Sequence, residues 1–204
     1  MRTLYLGAHP DDVEIGCAGT IAKRVGTDEQ LVVVFSRCEK HSGLKFTGEK
    51  LSQELKLSME VLKVDRYVQL EYENSRFPDF SHKIRATIEG LRSSFKPDTV
   101  YLSSLADQHQ DHRILAQECV VAFRRGKEEL RSYELGTTTP KFEPNMYVDI
   151  EETIETKIKA LMCYESQFPR NQHRRELWIA RAITRGVQVG IRYAEAFELL
   201  RSCE

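Results

Sequence analysis

Two short stretches concentrate the side chains that could do chemistry. The first, His9-Pro10-Asp11-Asp12-Val13-Glu14, packs an imidazole and three carboxylates into six residues. Adjacent aspartates in a site dry enough to matter repel each other strongly, and a divalent cation relieves that repulsion. Taken alone, the pair is equally well explained as the cap of a following helix. The second stretch ends in His109-Gln110-Asp111-His112 and holds two of the six histidines at i, i+3 with a carboxylate between them. A solvated loop with incidental histidines is the lesser alternative for it. Each stretch follows an apolar run and precedes a helical pattern, and that shared context favours one pocket over two coincidences.

Histidine and aspartate together suit a borderline cation such as zinc, with Fe2+ the other divalent choice. The expected ligands are His9, Asp12 and His112, an open three-ligand set that leaves room for water and substrate. Such an ion lowers the pKa of its water from about 15.7 toward about 7. Successive side chains diverge, so Asp11 does not share the ion with Asp12 and is expected to act as general base. Asp111 is expected to orient His109 and keep it protonated, facing the oxyanion that forms on attack. A site of this make hydrolyses a carbonyl compound, an amide first among them.

The elements that must position these residues are legible as alternating patterns. Thr3 to Gly7, Leu31 to Phe35 and Thr99 to Leu102 are apolar, β-branched runs, with a weaker one at Tyr67 to Leu70; short continuous runs suit strands of a parallel sheet covered on both faces. Helices are expected over Ile15 to Val25, Thr47 to Leu62, Ser81 to Phe95 and Ile114 to Phe123. The third carries Ile84, Ile88, Leu91 and Phe95 on one stripe. The alternation implies βαβ units, right-handed crossovers and a mostly parallel sheet, whose ligands bind beyond the carboxyl ends of the strands. Further on, a loop from Gly136 to Pro144, a short strand Met146 to Ile150 and a helix from Glu151 to about Tyr164 are expected. The tail from Trp178 to Leu200 reads as helical with a break near Gly186 or Gly190. There is no internal repeat or linker, so residues 1–204 are expected to form a single domain.

Composition bounds the class. The chain has 204 residues, 41% hydrophobic and 30% charged, with a formal net charge of −1; these values exclude a disordered, collagenous or coiled-coil protein and supply no field toward nucleic acid or membrane. The five cysteines are scattered without a CxxC pair, which argues against a disulfide framework and for reduced thiols. The first ten residues lack the apolar core of a signal peptide, and a cytoplasmic protein is expected.

The two stretches resemble the LmbE/PIG-L family of N-acetylglucosaminyl deacetylases, marked by an AHPDDxE segment and a later HxDH segment. Here these are AHPDDVE at Ala8 to Glu14 and HQDH at His109 to His112. The likeness continues through Gly16 to Ile21, Val148-Asp149-Ile150, Lys157, Ser166-Gln167 and Tyr193 to Phe197. It implies a Rossmann-like three-layer α/β sandwich and a zinc-dependent removal of an N-acetyl group from a glucosamine-type sugar or conjugate. It places zinc ligands on His9, Asp12 and His112, the base on Asp11, and an assisting histidine on His109. It also implies a homo-oligomer.

The chain departs from the family where an acidic-glycine turn is common: here Ser36-Arg37-Cys38-Glu39-Lys40-His41 stands after the second strand. Leu51 occupies a position, three before Glu54, that is often arginine. Arg37, Lys40 and His41 are candidate replacements, weighed against a solvated loop. Glu14 is a candidate sugar contact, weighed against a first-turn carboxylate favoured by the helix dipole. Arg170, His173, Arg174 and Arg175 could meet a phosphate or form a solvated face. Tyr164, His82 and Trp178 read as packing or surface residues. The rivals to a deacetylase are a non-haem Fe(II) oxygenase, which uses the same two-His-one-carboxylate set, and a non-catalytic sugar- or nucleotide-binding module.

Overall fold

The computed structural model describes residues 1–38, 47–64, 66–168 and 174–203. Strands β1 (Arg2–Gly7), β2 (Glu29–Val34), β3 (Tyr67–Gln69), β4 (Thr99–Ser103), β5 (Glu129–Tyr133), β6 (Met146–Asp149) and β7 (Ala194–Arg201) alternate with helices α1 (Asp12–Lys23), α2 (Gly48–Leu62), α3 (Phe77–Phe95), α4 (Gln110–Ala122), α5 (Ile154–Met162) and α6 (Arg175–Val187). The strands form one seven-stranded sheet in the order β3-β2-β1-β4-β5-β7-β6. The first five are parallel; β7 runs antiparallel to both β5 and β6.

Alternation along the central strands builds two apolar layers. Leu4, Leu6, Val33 and Phe35 pack with Ile84 and Ile88 from α3, Leu115 from α4 and Phe123 just after it. Tyr5, Val32 and Val34 face the other way, onto Val13, Cys17, Ile21, Leu51 and Leu55 from α1 and α2. The result is the three-layer α/β sandwich, helices on both faces of a mostly parallel sheet. Crossovers change face between β3 and β4, so strand order reverses at the β1–β4 pair. Their carboxyl ends lie side by side, with Tyr5 paired to Tyr101, and a ligand crevice forms at such a switch point.

Two elements differ from the expectations above. The tail is not helical throughout: α6 ends at Val187, Gly190 turns the chain at φ 75°, and Ala194–Arg201 is a strand. Ala, Glu and Leu favour a helix, but the slot between β5 and β6 requires an extended chain, and tertiary context overrides propensity. The strand β5 has no apolar run to announce it. Its polar residues are satisfied from afar: Arg131 Nη1 donates to the Tyr101 hydroxyl at 2.6 Å and Ser132 Oγ to Glu198 at 2.7 Å.

Candidate functional site

The chain leaves β1 at Gly7 and enters α1 within five residues. Asp11 sits between with φ 93° and ψ −24°, a left-handed conformation that costs a non-glycine residue about 1–3 kcal/mol and collects at functional sites. Its side chain makes no capping hydrogen bond. Asp12 does not cap either: its carboxylate turns back and accepts the His9 backbone N–H at 2.8 Å. The capping explanation of the aspartate pair is therefore not what the structure contains.

The second stretch is fixed from several sides. Ser103 Oγ, at the end of β4, donates to the His112 carbonyl at 2.9 Å. His109 is the N-cap of α4, its Nδ1 accepting the Asp111 N–H at 3.2 Å. The neutral ring therefore carries its proton on Nε2. His112 follows on the first turn of α4.

Three donor atoms from the two stretches meet. His9 Nδ1 lies 3.2 Å from His112 Nε2, His112 Nε2 lies 3.3 Å from Asp12 Oδ2, and His9 Nδ1 lies 3.5 Å from Asp12 Oδ2. Ligand distances of about 2.0–2.1 Å around a tetrahedral ion put neighbouring ligand atoms about 3.3 Å apart, so the triangle has the size of one face of such a site. The ligand atoms of His9, His109 and His112 also lie within 4.8 Å of one another. With His109 Nδ1 occupied by a backbone N–H, the tighter triangle is His9, Asp12 and His112.

Behind each of the two central imidazoles stands a buried carboxylate. His9 Nε2 faces Asp111 Oδ2 at 3.1 Å, and His112 Nδ1 faces Asp107 Oδ1 at 3.2 Å. This carboxylate–histidine pairing orients the ring and raises the basicity of the opposite nitrogen. Asp107 is 2% exposed and also accepts the His109 N–H at 2.8 Å, Thr137 Oγ1 at 2.7 Å and Thr138 Oγ1 at 2.9 Å. Asp111 is held by the Ser75 N–H at 2.5 Å and the Phe77 N–H at 3.2 Å.

The electrostatics follow from this crowding. Burial alone would lower the His112 pKa, but the Asp12 and Asp107 carboxylates outweigh it and raise the group to about 10. Burial is likewise outweighed at His9, which Asp111 and Asp12 hold above its ordinary value. At Asp12 the same imidazoles overcome a burial that would raise it, and its pKa falls far below the usual carboxylate range. His109 goes the other way: burial, then the charges of His9 and His112, push it down to about 4. The carboxylates of Asp12, Asp107 and Asp111 thus favour positive charge at the centre between the imidazoles, the charge that a divalent cation would bring.

Not every expected residue takes its expected place. The Asp111 carboxylate is spent on His9 and the Ser75 and Phe77 amides rather than on orienting His109, and burial with the charges of His9 and His112 holds the His109 pKa below its ordinary value instead of raising it. Glu14, a candidate sugar contact, is wholly buried, its Oε1 accepting the Tyr164 hydroxyl at 2.5 Å. Arg37 pairs with Glu71 at 3.0 Å. Leu51 is core, and Glu54 accepts the Ser166 N–H at 2.9 Å. Of the basic stretch, Arg175 pairs with Glu155 at 2.9 Å; Arg170 and His173, like Lys40 and His41, lie outside the described residues. Trp178 is core, as expected. Asp107 is the site residue that sequence reasoning missed, although two histidine donors with only one carboxylate beside them was a signal to look for a second.

A family model described as PIG-L, GlcNAc-PI de-N-acetylase, matches residues 4–123, a span that contains both stretches. A diacetylchitobiose deacetylase of Thermococcus kodakarensis is 29% identical over 227 residues, covering 98% of this chain and 83% of its own. A conserved protein of Thermus thermophilus of known structure aligns with TM-score 0.84 and 26% identity, over 99% of this chain and 95% of that one. A 4-carboxy-2-hydroxymuconate hydratase of Pseudomonas putida aligns with TM-score 0.81 and 19% identity, over 100% and 99% of the two chains, a likeness of fold. Among the described residues no helix is long and apolar enough to cross a membrane.

Proposed function

This chain belongs to the PIG-L family of de-N-acetylases, and on that premise we propose that it hydrolyses the N-acetyl amide of a glucosamine-type sugar or sugar conjugate, releasing acetate and a free amine. The observation that carries the reading is the donor triangle of His9, Asp12 and His112 with Asp11 beside it in a left-handed turn. His9, Asp12 and His112 would hold a divalent metal, zinc first among candidates, which supplies an acidified water and polarises the amide carbonyl.

The chain's own residues divide the remaining work. Asp11 takes the proton of the attacking water as its oxygen adds to the carbonyl carbon, then returns that proton to the nitrogen as the C–N bond breaks. His109, neutral with its proton on Nε2, donates a hydrogen bond to the carbonyl oxygen as that oxygen becomes negative. This role needs a donor, not a cation. Asp107 and Asp111 keep His112 and His9 turned so that Nε2 and Nδ1, respectively, face the common centre.

The substrate reading leans on the name of the Thermococcus relative, and N,N′-diacetylchitobiose is the natural first probe. The test is acetate release from this disaccharide and from a panel of N-acetylated amino sugars, with zinc-loaded and chelator-treated protein, oxygen excluded. Release that requires metal and proceeds without oxygen is expected, and it rules out the oxygenase. Undiminished release after complete metal removal, or none across the panel, overturns the reading.

A further inference from the structure

Tyr164 belongs to no motif, yet it reaches the base. It follows α5, its ring is fully buried, and its hydroxyl donates to Glu14 Oε1 at 2.5 Å. The same hydroxyl oxygen accepts the backbone N–H of Asp11. Glu14 and Tyr164 have no part in the chemistry described above, and Glu14 is too deeply buried to meet a substrate.

Asp11 is the residue whose backbone needs holding. Its φ of 93° lies where a side chain with a Cβ rarely sits, and such a conformation persists only where its surroundings over-determine it. One anchor is its carbonyl, which accepts the Ile15 N–H at 2.9 Å as α1 begins. The other is its amide, held by Tyr164. A phenol oxygen accepts an N–H well only when its own proton points elsewhere, and Glu14 Oε1 gives that proton a fixed destination. Without the hydroxyl, the peptide before Asp11 loses its anchor. The φ angle is then free to relax toward negative values, which swings the carboxylate away from its working direction.

We infer that Tyr164, its hydroxyl aimed by Glu14, is a positioning residue that holds the Asp11 backbone in its left-handed turn and so sets the direction of the Asp11 carboxylate. The inference rests on the reading of Asp11 as the base. It ties the C-terminal half of the chain to the first motif through a single hydroxyl.

The test is Tyr164→Phe in the full chain, zinc-loaded, with acetate release from N,N′-diacetylchitobiose and bound zinc both measured. The kcat is expected to fall about 10- to 100-fold, as for a misplaced catalytic group, while KM and zinc stoichiometry stay at parental values. In an Asp11→Asn background the same change should remove less than about twofold of the residual rate, because no base remains to be aimed. A merely structural tyrosine would lower both rates alike. If Tyr164→Phe does not fold, Glu14→Leu reads the other end of the bond and should reproduce the kcat loss, most of it restored in Glu14→Gln, which keeps an acceptor. Parental kcat, a loss confined to KM or zinc, or equal losses in both backgrounds overturns the inference. An Asp11→Asn protein with parental kcat would instead sink the base reading itself, and the inference with it.

Discussion

Replacing Asp107 by Asn probes the site through a residue that touches neither substrate nor metal. Asp107 Oδ1 faces His112 Nδ1 at 3.2 Å, and Oδ2 accepts from Thr138 Oγ1 at 2.9 Å. Asparagine keeps the shape and one acceptor. With its oxygen left toward His112, its amide meets a threonine hydroxyl that can turn and accept. The geometry is thus largely preserved, and what disappears is the negative charge behind the imidazole. Loss of such a partner lowers metal affinity about 10- to 100-fold, or about 1.4 to 2.7 kcal/mol at 1.36 kcal/mol per factor of ten. Competition against a zinc chelator of known affinity reads this directly, with circular dichroism to confirm that the variant is folded. Asp111→Asn should weaken binding to a similar degree through His9. A folded Asp107→Asn protein that holds zinc as tightly as the parent would refute the view that the buried carboxylates tune the triangle.

Three further outcomes are expected. Asp11→Asn should lower kcat by about 10²- to 10⁴-fold, the usual worth of a general base, with bound zinc unchanged. His112→Ala should lose the metal itself, seen as zinc absent after dialysis, and with it the activity. Gly16→Ala should destabilise the fold by about 1–3 kcal/mol, read as a lower Tm, because a Cβ there would run into the Tyr133 ring. That last result would be independent of any assignment of chemistry.

What was legible in the sequence follows a physical rule. The strands β1, β2 and β4 are covered on both faces along most of their length, so successive residues there are under the same pressure to be apolar, and the run is visible locally. The strands β5 and β7 are written in contacts across the chain. Ser132 is explained only by Glu198, and Glu195 only by Lys157 at 2.6 Å and the Gly19 and Thr20 amides. The site divides the same way. Its ligand candidates stand in two compact stretches whose meeting follows from strand order. The partner of Asp111 was not legible, because the Ser75 and Phe77 amides that turn it toward His9 arrive from a separate loop. The burial of Glu14 was hidden similarly, since Tyr164 lies far along the chain.

The reaction has to be argued from side chains because the fold does not decide it: a hydratase shares the architecture at TM-score 0.81, and one fold hosts many chemistries. The donor triangle alone does not decide it either, since two imidazoles and a carboxylate serve oxygenases as well as hydrolases. Amide hydrolysis makes two demands beyond activated water. It needs a group to carry a proton from the nucleophile to a poor leaving group, and a donor for an oxygen that turns negative. Asp11, next in sequence to the ligand candidate Asp12 and set in a left-handed turn, is the group proposed for the first demand. For the second, His109 is the proposed donor: its Nδ1 accepts a backbone amide N–H, and burial holds its pKa below the ordinary value. Its proton is thereby confined to Nε2, where donation requires no change of ionisation during the reaction.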